Sequence, residues 1–230
     1  MKILFVLAHP DDETFGSGGT IAKYSKDHTV KLVCATRGEA GELGTPPVAT
    51  REKLGSVREK ELRAAAKVLG IKEIFFLNYI DRTVKKVPRK ELSGKILKIL
   101  KKEAPDVVVT SGKEGSTGHP DHIAVGFAAT DAFKQYMETS KKKVNLYYRV
   151  IPSSVLKILL KAGLFTFADV KGEPNENITT VIDISKTVKT KYKASALHRS
   201  QNKDFKMIQK VSKLGNYKKE HYTLATSNEL

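Results

Sequence analysis

Two short segments of this chain carry residue types and spacings suited to metal and proton chemistry. Ala8-His9-Pro10-Asp11-Asp12-Glu13 and Gly118-His119-Pro120-Asp121-His122 each put imidazole and carboxylate groups within a few residues of one another. Such N and O donors hold divalent metal ions, and the same groups carry protons near neutral pH. His9 and Asp12 lie three apart, and His122 can close a triangle from the second segment. Three N/O ligands with a fourth position open is the arrangement of a catalytic zinc ion, not of a closed structural one. A His-Pro-Asp tripeptide is also an ordinary turn whose Asp caps the next helix. Two of them in one chain, together holding three of its six histidines, favour the metal.

The surrounding elements must bring these side chains together. Short β-branched and aromatic runs alternate with longer stretches of helical period, the pattern of βαβ units and a mostly parallel sheet in an α/β fold. Strands are expected over 2–8, 30–36, 74–78, 107–110, 146–150 and 179–184, and helices over 17–26, 51–69, 91–103, 119–137, 185–200 and 205–214. Gly70 and Pro105 act as helix stops. An apolar stretch over 151–167 reads as a further helix. The two His/Asp segments follow the first and fourth strands. In an open α/β sheet the ligand crevice lies outside the carboxyl ends of the strands, so segments about 110 residues apart can share one site. Gly16-Ser17-Gly18-Gly19 lacks the spacing of a dinucleotide-binding loop, and its glycines read as places of close backbone packing. The stretch 37–50, with Gly38, Gly41, Gly44, Pro46 and Pro47, is a long loop directly after a strand, the usual place for a substrate wall or lid.

Composition narrows the function classes. A length of 230 residues and a mass of 25.5 kDa predict one domain spanning 1–230. Hydrophobic residues at 40% and charged residues at 29% exclude a disordered chain. The single cysteine, Cys34, excludes a disulfide framework and any multi-cysteine metal site, and it fits a reducing, cytoplasmic location. No apolar run approaches the ~18 residues of a membrane-spanning helix. The net charge of +16 is concentrated: 82–102 carries nine Lys/Arg against Glu91, and 185–220 carries eleven against Asp204 and Glu220. Two such zones attract phosphates or acidic polymers, or else form a lysine-rich solvated surface.

The pair of His/Asp segments resembles the LmbE-like family, also named for N-acetylglucosaminylphosphatidylinositol de-N-acetylase. Further blocks resemble the family in the same order: Thr36-Arg37-Gly38-Glu39 with Gly41, Arg58-Glu59-Lys60-Glu61-Leu62-Arg63-Ala64-Ala65 leading to Leu69-Gly70, and His198-Arg199-Ser200-Gln201. The resemblance spans residues 2 to 201 and implies a Rossmann-like three-layer fold. It implies one zinc ion per chain on His9, Asp12 and His122, with Asp11 as general base. His119 would stabilise the oxyanion or protonate the leaving amine, Asp121 would orient or tune it, and Arg58 would touch the sugar. Hydrolysing an amide needs a nucleophilic water near neutral pH, and zinc lowers the pKa of bound water from ~15.7 to about 7. Because Asp11 and Asp12 are adjacent, one can ligate while the other faces that water. Where some relatives have a Tyr two positions before the first His of the second motif, this chain has Thr117. Arg37, Tyr79, Arg82 and Arg149 are the alternatives for polarising the carbonyl.

The leading expectation is a zinc-dependent N-deacetylase acting on a GlcNAc-type amino sugar or its conjugate, with an anionic conjugate as one option. The runner-up is an amidase cleaving a larger acyl group. A nucleic-acid-binding protein with a vestigial site ranks last, because aromatic residues for stacking are sparse in the basic zones: Tyr192, Phe205 and Tyr217 only. The resemblance also implies a homo-oligomer.

Overall fold

Strand β1 (Lys2–Leu7) sets the layering. Leu4, Val6 and Ala8 belong to one apolar cluster, with Leu92, Ile96 and Leu100 of α3 (Arg89–Glu103) and Val125, Ala129 and Phe133 of α4 (Pro120–Thr139). Ile3, Phe5 and Leu7 belong to a second, with Ile21 of α1 (Asp12–Tyr24), Leu62, Ala65 and Leu69 of α2 (Leu54–Leu69), and Ala194 of α6 (Val188–Ser195). A strand apolar on both faces needs helices on both sides, which is the three-layer α/β arrangement. The computed structural model describes residues 1–161, 170–213 and 218–225.

The remaining strands are β2 (Thr29–Thr36), β3 (Glu73–Tyr79), β4 (Val107–Ser111), β5 (Asn145–Val150), β6 (Thr180–Asp183) and β7 (Lys219–Leu224). They form one sheet in the order β3-β2-β1-β4-β5-β7-β6. The first five are mutually parallel, and β7 runs antiparallel to both neighbours. After β1 the chain builds outward through β2 and β3, then returns to place β4 on the other side of β1. That reversal opens a crevice at the carboxyl ends of β1 and β4.

All six expected strands are present, and β7 is a seventh that the sequence reading did not contain. Helix α1 starts at Asp12, five residues before the expected 17, so its glycines lie inside the helix. They are there for close approach: a Cβ on Gly19 would sit 2.5 Å from Ile184 Cδ1, and one on Gly16 would sit 2.4 Å from Arg149 Nη1. Helix α2 ends where Gly70 takes the left-handed conformation at φ 82°. The helix expected over 185–200 is shorter, α6 giving way to a 3-10 turn at Arg199–Gln201 before α7 (Asn202–Lys213). Helix α5 (Ser153–Lys161) covers part of the expected 151–167; residues 162–167 and Leu214 lie outside the described residues. Among the described residues no helix is long and apolar enough to cross a membrane.

The buried Ile184 contacts that face Gly19 leave no space for a methyl group. Gly19→Ala is expected to destabilise the fold by about 1–3 kcal/mol through overpacking, read as a lower urea midpoint at unchanged m-value.

Candidate active site

The turn from β1 into α1 carries an unusual backbone. Asp11 has φ 108° and ψ −32°, a conformation that costs a non-glycine residue on the order of 1–3 kcal/mol. Several contacts hold it. Its carbonyl accepts from the Thr14 and Phe15 N–H groups at 2.9 Å each, and its N–H donates to Glu13 Oε2 at 2.9 Å. Arg58 Nη2 donates to its carboxylate at 2.8 Å. Arg58 is buried and also donates to the Gly38 and Pro10 carbonyls, so its place is behind Asp11. Gly38 suits the place, taking the left-handed conformation at φ 69° where a Cβ would also meet the Arg58 guanidinium.

Helix α4 supplies the other half. His119 caps it, its Nδ1 accepting the Asp121 N–H at 3.2 Å, with Pro120 as first helical residue. One turn in, His122 Nε2 lies 3.1 Å from His9 Nδ1 and 3.3 Å from Asp12 Oδ1, and His9 Nδ1 lies 3.8 Å from Asp12 Oδ2. Two imidazole nitrogens and a carboxylate from the two segments therefore converge. His9, His119 and His122 also bring one ligand atom each within 4.8 Å, as do His9, Asp81 and Asp121. The chain thus has a candidate metal-binding cluster centred on His9.

The ring orientations fit that role. His122 Nδ1 lies 3.0 Å from the Gly115 carbonyl, which can only accept, so Nδ1 carries the proton and Nε2 keeps its lone pair. Thr117 Oγ1 lies 3.1 Å from the same Nδ1. His9 Nε2 sits 2.9 Å from Asp81 Oδ1 and 3.6 Å from Asp121 Oδ2, the carboxylate backing usual for a ligating histidine. The Asp121 carboxylate faces His9 and the Lys85 N–H; what meets the His119 ring is the Asp121 backbone. Asp12 is clamped from behind: Arg149 Nη2 donates to Oδ1 at 2.6 Å and Nη1 to its carbonyl at 2.9 Å. Of the other residues considered for carbonyl polarisation, Arg37 is spent on Glu59 and Asn78, and the Tyr79 hydroxyl donates to Glu91. Arg82 is exposed.

Residues 4–133 match the family model described as PIG-L: GlcNAc-PI de-N-acetylase. The chain belongs to this family. The probable N-acetyl-alpha-D-glucosaminyl L-malate deacetylase 2 of Bacillus anthracis is 39% identical over 141 residues, 60% of this chain and 62% of that protein, so the chain spans less than two thirds of that relative. The 1D-myo-inositol 2-acetamido-2-deoxy-alpha-D-glucopyranoside deacetylase of Rhodococcus jostii (strain RHA1) is 31% identical over 241 residues, 87% of this chain and 81% of its own. The fold is shared with N,N'-diacetylchitobiose deacetylase from Pyrococcus horikoshii, at a TM-score of 0.71 and 24% identity over 97% of this chain and 83% of that one.

Within this family member the buried charges set one another's protonation. Burial pushes the Asp11 carboxyl up to about 7, against the pull of Arg58. Burial works the same way on Asp12, but Arg149 and the two histidines outweigh it and hold Asp12 well below the carboxylate range. Burial pushes His122 down to about 3, and burial with the His9 charge lowers His119. Burial also opposes charge on His9, yet contacts with Asp121 and Asp81 and the Asp12 charge push it up to about 10. Asp81, which the sequence reading passed over, follows β3 at the same end of the sheet; a lone Asp with no spacing signal gave nothing to find it by.

These directions fix how metal uptake depends on pH. In ion-free protein at neutral pH His9 is the imidazolium and His122 the neutral imidazole, so His9 must lose one proton before it can ligate. Uptake of a divalent ion at this cluster is expected to release about one proton per ion, with affinity rising roughly tenfold per pH unit from 6 to 9. Calorimetry in buffers of different ionisation enthalpy counts that proton, and a pH-independent affinity would contradict it.

Proposed function

We propose that the chain is a zinc-dependent N-deacetylase of a GlcNAc-type amino sugar or its conjugate. The observation that carries this reading is the convergence of His9 Nδ1, His122 Nε2 and the Asp12 carboxylate within 3.1–3.8 Å, with the Asp11 carboxyl beside them. His9, Asp12 and His122 would hold one zinc ion, which when bound acidifies water and polarises an amide carbonyl. Asp11, placed near neutrality by burial, takes a proton from the attacking water. Arg58 keeps the Asp11 carboxylate aimed, and Arg149 keeps Asp12 ionised. His119, whose Nδ1 is engaged by the Asp121 N–H, has Nε2 left to meet the oxyanion or to protonate the leaving amine. Asp121, behind His9 and close to His119, tunes both rings. The names of the relatives, both deacetylases of N-acetylglucosaminyl conjugates, support the same reading.

The substrate class has a geometric hint. The turn after β3 is tied to the site at two points, by Asp81 against His9 and by the Lys85 N–H on Asp121. Residues 82–90, which run from that turn into the start of α3, hold Arg82, Lys85, Lys86, Arg89 and Lys90 and no acidic residue, and all five are exposed. Among the described residues Arg89 pairs with Asp131, and the other four side chains form no ion pair. A cationic rim of this kind draws in anionic conjugates. In a second reading, removal of a larger acyl group, the acyl chain would lie in the groove of about 350 Å³ beside the α4 N-terminus, lined by Val87, Leu92, Pro120, Ile123 and Phe127 with Lys85 and Arg89 and by none of the metal-cluster side chains.

Zinc-loaded protein is expected to release acetate from a panel of free, oligomeric, inositol-linked and nucleotide-linked N-acetylglucosamines. Asp11→Asn should keep its zinc and lose activity by about 10²–10⁴-fold, while Asp12→Ala should lose the zinc. Acetyl, butyryl and octanoyl forms of the best substrate decide between the two acyl readings. A near-normal Asp11→Asn rate would remove Asp11 as base, and silence with one bound zinc would remove the substrate class.

On an anionic conjugate, kcat/KM should fall steeply between about 50 and 300 mM salt. Lys86→Glu with Lys90→Glu should lower it roughly tenfold further, with a neutral conjugate within about twofold. Equal salt response for the two substrates would leave the rim as a solvated surface.

A further inference from the structure

His198 lies 185 positions from Glu13 in sequence and outside the stretch that matches the family model, yet it meets Glu13 at the site. His198 Nε2 lies 2.7 Å from Glu13 Oε1, and both side chains are 0% exposed. Glu13 Oε2 accepts the Asp11 N–H at 2.9 Å. One carboxylate therefore joins a buried imidazole to the backbone of the residue with φ 108°. Among the described residues His198 Nδ1 has no hydrogen-bond partner, so Glu13 is the polar contact that the ring makes there.

Neighbouring contacts fix the segment that carries His198. Ser200 donates to Glu61 of α2 twice, from N at 2.9 Å and from Oγ at 2.6 Å, with Glu61 8% exposed. Gln201 Nε2 donates to the Glu42 carbonyl in the loop after β2. The 3-10 turn at Arg199–Gln201 is thus tied to α2 and to that loop, and His198 enters α1 from a fixed direction.

A buried ion pair is a poor way to stabilise a core, since apolar side chains of similar volume usually do as well or better. An apolar pair could not offer a second oxygen to the Asp11 N–H. We propose that His198 is a positioning residue: through Glu13 it holds the Asp11 backbone in its strained conformation and so sets where the Asp11 carboxyl points. The catalytic consequence rests on the reading of Asp11 as general base; the structural consequence does not.

The experiment separates the two by pairing an activity-independent measurement with kinetics. Hydrogen exchange of the Asp11 amide is followed in wild type, His198→Leu, which is apolar and of similar size, and His198→Gln, whose amide can still donate to Glu13. The Asp11 amide should exchange at least about tenfold faster in His198→Leu and return towards wild type in His198→Gln. With zinc content equal, kcat should fall about ten- to a hundredfold in His198→Leu, KM should stay put, and His198→Gln should recover most of the rate. Should His198→Leu fail to fold, Glu13→Asp keeps the charge, loses the reach to the Asp11 N–H, and should show the same amide exposure. Unchanged protection of the Asp11 amide overturns the proposal. So does a kcat loss that tracks bound zinc or folded fraction, with Gln no better than Leu. If wild type turns over no substrate, the deacetylase reading fails, and amide exchange still decides the positioning role.

Discussion

The site depends on one pairing: β1 and β4 lie hydrogen-bonded side by side, Ile3 to Val107 and Phe5 to Val109, while their chains leave towards opposite halves of the sheet. Parallel pairing puts both carboxyl ends at the same level, and the helices that follow must start there. Helices α1 and α4 thus present their first turns to one crevice, and those turns hold Asp12, Glu13 and Asp121. Carboxylates are favoured at such helix starts by the unpaired N–H groups and the dipole. Metal-type ligands that lie about 110 residues apart in sequence are neighbours as a result of topology, with no loop needed to reach across.

Crowding is the price of that convergence. Asp11, Asp12, Glu13, Asp81 and Asp121 share a small buried volume, and each carboxylate is answered by a separate group: Arg58 on Asp11, Arg149 on Asp12, His198 on Glu13, and His9 between Asp81 and Asp121. Three of these partners come from α2, β5 and the segment after α6. His9 differs from the two arginines because its charge is a proton that can leave, and from His198 because it stands within the candidate metal cluster. A divalent ion at the cluster would take over that counter-charge, while the two arginines stay with their own carboxylates.

How much of this could be read in the sequence varied with the kind of signal. Strands β1, β2 and β4 are legible because a strand buried on both faces is a continuous apolar run, as in Ile3 to Leu7 or Leu32 to Ala35. Strand β7 is not, because Lys-Glu-His-Tyr-Thr-Leu looks like a polar stretch; Glu220 is buried only by virtue of Lys191 and the Gly19 and Thr20 N–H groups. Helix α1 hid its start because glycines read as loop, and their purpose, contact with Ile184 and Arg149, is tertiary. His9, Asp12 and His122 were legible because their spacing repeats in two segments. Asp81 and the Arg149 contact to Asp12 have no local pattern, and the partner of His198 lies at the other end of the chain. Arg58 was visible as part of a motif, yet its position behind Asp11 follows only from the packing of α2 under the loop that holds Gly38.

Strand β7 has a further consequence for how the molecule is built during translation. It lies between β5 and β6, so β6 leaves the ribosome well before the strand it must pair with. Until residues 219–224 emerge, β6 has no sheet to join, and Lys191 has no Glu220 opposite it. The same Glu220 holds the Gly19 and Thr20 amides in the middle of α1, the helix whose first turn forms half of the site. The parallel core can assemble early and in order, but the helix bearing Asp12 is secured in part by a residue 201 positions after its Gly19. The contacts that Glu220 makes to this helix therefore wait until residues 219–224 have been translated.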